Sequence, residues 1–193
     1  MPRDNAPLSQ RERWALCDLL TDLGPDVPTL CEGWRSADLA AHLVARDRRP
    51  DAGPGMAAHL PLLTDWSERV QHGYRDTLTW DILVSKARSG PPAWLRPLDR
   101  VINTVEYFVH HEDLRRAQPQ WEPRELSAPD QAELWKQAGR MKLLARKRAS
   151  RLEAPGWPPV QLGSSGPVVT GPVGEVVLWL LGRRDAARVE VEG

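Results

Sequence analysis

The rest of the chain is interpreted around one stretch, VINTVEYFVHHEDLRRA at residues 101–117. Its apolar residues recur at steps of three and four, a period that predicts a helix with one buried side. Glu106 and His110 are four residues apart, so at ~3.6 residues per turn their side chains lie one above the other, beside the apolar side. Such a carboxylate and imidazole can pair with each other, ligate one cation together, or stand on a solvated helix face. On this stretch alone the three alternatives stay open.

A third potential ligand lies on an earlier predicted helix, which runs from Ser36 as N-cap to about Arg49. His42 lies at the margin of the apolar side of that helix, a position that is by itself more typical of a core-edge histidine than of a ligand. Together with Glu106 and His110 it makes three potential ligands on two helices. Facing helices of a bundle can build such a site in their interior. Three protein ligands are typical of a catalytic zinc site, since a structural site closes with four.

The remaining histidines are predicted to lie outside this site. His59 and His72 occur in polar, irregular segments and are expected at the surface. His111 follows His110 but is rotated ~100° from it on the helix, so it should not reach the same ion. Asp113 could hydrogen-bond the His110 imidazole, and a salt bridge to a neighbouring arginine is an equal alternative.

Four long helices are predicted, and two of them flank the two described above. The first has a capping box formed by Ser9 and Glu12 and stops at Gly24. The last opens at Ser127. Weaker helical patterns cover residues 60–74 and 80–87. The basic run at residues 142–151 indicates a solvated outer face, with a binding patch as the alternative.

The composition changes after Pro155 to Gly, Pro and Val. Strands are predicted at residues 160–162, 168–170 and 188–191, with a buried helix at 174–182 between the last two. The predicted fold is therefore mainly α: a four-helix bundle at residues 1–153 with a small C-terminal β-β-α-β appendage at residues 154–193. An appendage of this size must dock on the helices to bury a core.

Composition excludes several classes of function. The chain of 193 residues has 26 basic and 26 acidic residues, so nothing favours binding to nucleic acid through phosphate neutralisation. The longest apolar run, residues 176–181, is far shorter than the ~20 residues of a membrane span. The N-terminus lacks the apolar segment of a signal peptide, which predicts a cytoplasmic protein. Cys17 and Cys31 do not form a CxxC motif and are expected to be reduced thiols in or near the core.

The sequence resembles a known family in three places: GWRSADLAAHL at residues 33–43, the pair Glu106-x-x-x-His110, and LWLLGRR at residues 178–184. These are similar to the mycothiol-dependent maleylpyruvate isomerases, within the DinB-like metal-binding bundles. The resemblance spans most of the chain. It is closest to an uncharacterised actinobacterial branch in which CEGW, RRPDAGPG and VEYFVHHEDLRRA occur in similar form.

The resemblance implies a divalent metal, most often zinc, held by His42, Glu106 and His110 with water or a thiol in the open positions. It also implies a catalytic role for Arg183, although this appendage is shorter than the C-terminal domain of the isomerase. The alternative for Arg183 is support of the helix that ends at Gly182.

The function expected from this resemblance is a metal-dependent thiol S-transferase or isomerase that uses mycothiol or a similar thiol. The expected partners are that thiol and an electrophilic substrate, with a second copy of the chain in a homodimer as a further option. One alternative is a binding module that holds a metal or small ligand without turnover. Another is a buried hydrogen-bond network with no metal.

Overall fold

The structure is a computed structural model that describes residues 5–49, 61–94, 99, 103–141 and 148–193, with the side chains of residues 61–64 excepted. These residues form seven helices and four short strands, so the prediction of a mainly helical chain with a small sheet is confirmed. The helices are α1 (Leu8–Leu23), α2 (Ser36–Arg48), α3 (Pro61–Thr77), α4 (Trp80–Ser89), α5 (Thr104–Arg116), α6 (Ala128–Arg140) and α7 (Val173–Leu180). The strands are β1 (Arg151–Ala154), β2 (Trp157–Gln161), β3 (Val168–Thr170) and β4 (Glu190–Glu192).

The chain divides into two compact units. The first consists of Met1–Asn103 and His110–Trp121, and the second of Thr104–Val109 and Glu122–Gly193. The division falls within helix α5. The first six residues of this helix belong to the second unit, and the rest belong to the first. The boundary expected after residue 153 falls inside β1, and α6 is grouped with the sheet.

The capping box predicted for α1, with Ser9 as the cap, is wrong. The helix begins at Leu8 with Pro7 as N-cap, and its N-cap makes no side-chain hydrogen bond. Ser9 and Glu12 lie within the helix and are buried, and their polar atoms have distant partners: Ser9 Oγ donates to Asp99 at 3.3 Å, and Glu12 contacts His111. The Ser-x-x-Glu sequence that predicts a local cap therefore makes tertiary contacts instead.

Helix α2 starts one residue earlier than the predicted N-cap, Ser36, would place it. Arg35 is the N-cap, and its backbone N–H donates to the carboxylate of Asp38 at 2.9 Å. Ser36 is already helical, and its hydroxyl donates to the Gly24 carbonyl at 2.6 Å. Asp38 also pairs with Arg75 of α3 at 2.7 Å, which ties the start of α2 to α3. Helix α2 packs against both α3 and α4 in the first unit.

The second unit contains a sheet with strand order β2-β1-β3-β4. Strand β1 pairs antiparallel with β2 and parallel with β3, and β3 pairs antiparallel with β4. The predicted β-β-α-β order lacked β1, because RLEA carries two charged residues at the end of a basic run. In the structure these alternate: Arg151 and Glu153 pair at 2.9 Å on the outer face, while Leu152 is fully buried.

Predicted ends of two helices are confirmed in the second unit. Ser127 is the N-cap of α6, and its hydroxyl accepts from the backbone N–H of Asp130 at 3.4 Å. Gly182 follows the C-terminus of α7 with a φ of 95°, a conformation that favours glycine. Most of the basic run, residues 142–147, lies outside the described residues.

Within the described part of the chain, no helix is both long enough and apolar enough to cross a bilayer.

Candidate metal centre

Helix α5 carries three of the polar side chains that build the candidate site. His110 is 7 % exposed and Asp113 is fully buried, whereas Glu106 is half-buried. The start of the helix is anchored by Asn103, whose side-chain amide donates to both Asp47 and Asp99 at 2.9 Å. The spacing of four and three residues places Glu106, His110 and Asp113 in sequence along one side of α5.

His42 of α2 lies against His110. The centroids of the two imidazole rings are 5.0 Å apart, and the planes meet at 67° in an edge-to-face arrangement. His42 also contacts the indole of Trp34, with ring centroids 5.1 Å apart. His42 is only 7 % exposed, so its ring is shielded from solvent where it meets these two rings.

His42, Glu106 and His110 each offer one ligand atom, and these three atoms all lie within 4.8 Å of one another. Tetrahedral zinc with metal–nitrogen distances of ~2.0–2.1 Å separates its ligand atoms by about 3.4 Å, which is within the limit of 4.8 Å for these three atoms. Two neutral imidazoles and one carboxylate are also a donor set that divalent transition metals accept. The residues present therefore fit a divalent metal ion.

Asp113 orients one of these donors. Its Oδ2 lies 2.9 Å from Nδ1 of His110, so of the two alternatives left open for Asp113 the structure has the hydrogen bond to His110. A carboxylate on one ring nitrogen selects the tautomer with the proton on that nitrogen, and the lone pair is then on Nε2. The neighbouring arginines, Arg115 and Arg116, pair with Glu112 at 2.8 and 2.7 Å.

Cys31 also lies at the site, whereas the sequence predicts only a reduced thiol in or near the core. Its Sγ lies 3.3 Å from Asp113 Oδ2 and 4.0 Å from His110 Nδ1. The loop that carries it is fixed to α5, since the Leu30 N–H donates to the Asp113 carbonyl at 3.0 Å. Cys31, His110 and Asp113 form a second group of three potential ligand atoms within 4.8 Å. The sequence offers no local signal for this, because Cys31 is distant along the chain from its partners.

The other cysteine has a different environment. Cys17 is fully buried in α1, and burial raises the pKa of its thiol to about 12. The thiol is therefore protonated at neutral pH and does not act as a nucleophile or metal ligand there. Both cysteines are thiols, as predicted.

The other three histidines, His59, His72 and His111, are predicted to lie outside the site. His72 is exposed, which confirms its surface assignment, and His59 lies outside the described residues. Nδ1 of His111 lies 2.8 Å from Oε2 of Glu12, and both residues are buried. His111 thus has a carboxylate partner from α1.

Arg183 lies in the second unit, directly after the C-terminus of α7. Its backbone N–H donates to the Leu178 carbonyl, and its guanidinium Nη1 donates to the Leu181 carbonyl at 2.9 Å. A cation at this position satisfies carbonyls that the helix leaves unpaired and interacts favourably with the helix dipole.

Comparison with protein-family models, with curated proteins and with solved structures finds no match to this chain. The resemblance to the maleylpyruvate isomerases therefore stays a prediction, and the site stands on its geometry.

Proposed function

We propose that this chain is a divalent-metal-binding protein whose ligands are His42, Glu106 and His110, and that it acts as a thiol-dependent S-transferase or isomerase. The observation that carries the proposal is the convergence of three ligand atoms within 4.8 Å, from α2 and α5. A fold of the DinB-like type, a cytoplasmic location and zinc as the metal belong to the same proposal.

The surroundings of the three ligands support a site that binds tightly. His42 and His110 are nearly buried, and Asp113 holds the ring of His110 in one orientation. Ligands that are already positioned lose little conformational freedom when the ion binds. With three protein ligands, a bound ion keeps a position for water or a thiol, lowers the pKa of that ligand and can polarise a carbonyl.

Metal content tests the first half of the proposal. The chain is purified without a metal-affinity tag, and the metal is measured by elemental analysis. We expect about one divalent ion per chain, and its loss in His42→Ala, Glu106→Gln and His110→Ala. His72→Ala is the matched control, because His72 is exposed. A wild-type protein without metal, or full metal content in all three variants, would remove the proposal.

Turnover tests the second half. The metal-loaded chain is incubated with a low-molecular-weight thiol, mycothiol first, and a series of carboxylate-bearing electrophiles. Thiol consumption and isomerisation of the electrophile are followed separately. Activity that requires both metal and thiol, and that His42→Ala abolishes, supports the enzyme.

The alternative is a binding module that holds the metal without turnover. The contact of Arg183 with the Leu181 carbonyl favours it, since a guanidinium that supports a helix end has fewer donors for a substrate carboxylate. A protein that binds one metal and one thiol per chain but turns over none of the electrophiles would be this module.

A further inference from the structure

We propose that Cys31, His110 and Asp113 form a second metal-binding set, selective for thiophilic ions, whose occupation excludes the set of His42, Glu106 and His110. The inference rests on the proposed function in one respect: His110 is common to both sets. Its own evidence is the geometry around Nδ1 of His110.

Three potential ligand atoms of different chemistry lie close together: a sulfur, a nitrogen and an oxygen. The sulfur of Cys31 is 3.3 Å from Asp113 Oδ2 and 4.0 Å from His110 Nδ1, and the last two atoms are 2.9 Å apart. A tetrahedral ion bound to one sulfur, one nitrogen and one oxygen would set these separations at about 3.4–3.6 Å. The observed distances lie on both sides of that range, so shifts of about half an ångström open a place for an ion.

The two sets compete because a neutral imidazole has one lone pair. While Nδ1 of His110 donates its proton to Asp113, the lone pair is on Nε2 and can serve the set that contains His42. Binding at the second set requires the other tautomer, in which the Nδ1 proton has passed through solvent to Nε2. The Cys31 thiol gives its proton to solvent at the same step, and no oxidation state changes. One His110 ring thus serves one ion at a time.

The two sets differ in softness. A thiolate selects soft ions, whereas two imidazoles and a carboxylate suit borderline ions.

Cadmium is the probe, since it is thiophilic and its thiolate complexes absorb in the ultraviolet. Metal-free wild-type protein should develop this charge-transfer band with one equivalent of cadmium. Cys31→Ser and His110→Ala should lose the band, whereas His42→Ala should keep it. Cys17→Ala, the matched cysteine control, should also keep it. Absence of the band in wild type, or its persistence in Cys31→Ser, overturns the inference.

A second measurement needs no variant. Cadmium should slow alkylation of Cys31 by iodoacetamide at least tenfold in the unaltered chain, and magnesium should not. Cys17 is a buried internal control. Both cysteines lie in the tryptic peptide of residues 14–35, so the modified position is read by fragmentation of that peptide. Equal alkylation rates with and without cadmium would refute the second set.

The number of ions bound per chain tests whether occupation of one set excludes occupation of the other. Protein that carries one zinc should release it as cadmium is added, so that the total stays at one ion per chain. Two ions bound together would refute exclusion. The proposed function fails separately, through unchanged zinc content in all three of His42→Ala, Glu106→Gln and His110→Ala, while this inference fails through the cadmium band and the alkylation rate.

Discussion

Nδ1 of His111 lies 2.8 Å from Oε2 of Glu12, a contact that joins α5 to α1 across 99 positions of the chain. Both residues are buried. His111 stands next to the proposed ligand His110, so this pair fixes the rotation of α5 at the point where the metal would bind.

Removal of the Glu12 carboxylate should therefore cost stability and leave the ligands in place. Glu12→Ala leaves the buried imidazole of His111 without this acceptor, and we expect the free energy of unfolding to fall by about 1–3 kcal/mol. Metal content should be unchanged in the folded protein. Glu32→Gln is the control, because Glu32 is exposed. Urea unfolding measures the change, and a Glu12→Ala protein as stable as this control would show that the pair contributes nothing.

Asp113 should influence metal affinity through His110. Asp113→Asn keeps the shape of the side chain but weakens the orientation and basicity of the imidazole, and loss of such a partner typically costs about 10–100-fold in affinity. Competition against a chelator of known affinity measures this effect for zinc. Asp22→Asn, at an exposed position, should bind as wild type. Unaltered zinc affinity in Asp113→Asn would remove Asp113 from the metal centre.

The strand missed from sequence can be tested by its buried residue. Leu152 of β1 is fully buried and pairs with Val169 of β3. Leu152→Ala should lower the free energy of unfolding by about 2–5 kcal/mol, the usual cost of a truncated core leucine. Val191 of β4 is 47 % exposed, so Val191→Ala should change stability by less than about 0.5 kcal/mol. Equal effects of the two substitutions would contradict the assignment of β1 to the core.

Sequence periodicity was sufficient where a feature depends on neighbours along the chain. The apolar steps of α1 and α2, the N-cap Ser127 and the contact between Asp113 and His110 all follow from spacings of three or four residues. The proximity of His42 and His110 was expected because both border apolar sides of predicted helices.

Features that depend on distant partners were missed. Cys31 reaches Asp113 over 82 positions, and Glu12 reaches His111 over 99. A local pattern contains no information about such contacts, so the Ser-x-x-Glu spacing wrongly predicts that Glu12 is part of a cap. Strand β1 was missed for a related reason: it is defined by its pairing with β2 and β3 more than by its own alternation.

Metal removal should lower thermal stability. An ion that binds only the folded chain stabilises it by RT ln(1 + [L]/Kd), about 2.7 kcal/mol when the free metal is 100 times Kd. The melting temperature of wild type should fall on addition of a chelator and recover when zinc is restored. His42→Ala should melt at the same temperature with and without the chelator. A chelator effect of equal size in His42→Ala would place the stabilising ion elsewhere.

The role of Arg183 separates the enzyme from the binding module. A guanidinium can hold a substrate carboxylate with two parallel hydrogen bonds, which a lysine cannot do. If Arg183 anchors the substrate, Arg183→Lys should keep metal content and thiol affinity and lower turnover of a carboxylate-bearing electrophile at least tenfold. Arg184 lies beside it, with its guanidinium 4.8 Å from the ring of Trp179, so Arg184→Lys is the matched control.

The contact of Arg183 with the Leu181 carbonyl predicts only a small loss of melting temperature in Arg183→Lys, whether or not Arg183 binds substrate, since a lysine can still donate to that carbonyl. Turnover at the wild-type level in Arg183→Lys, with only that loss of melting temperature, would assign Arg183 to the end of α7 and leave substrate binding to other groups.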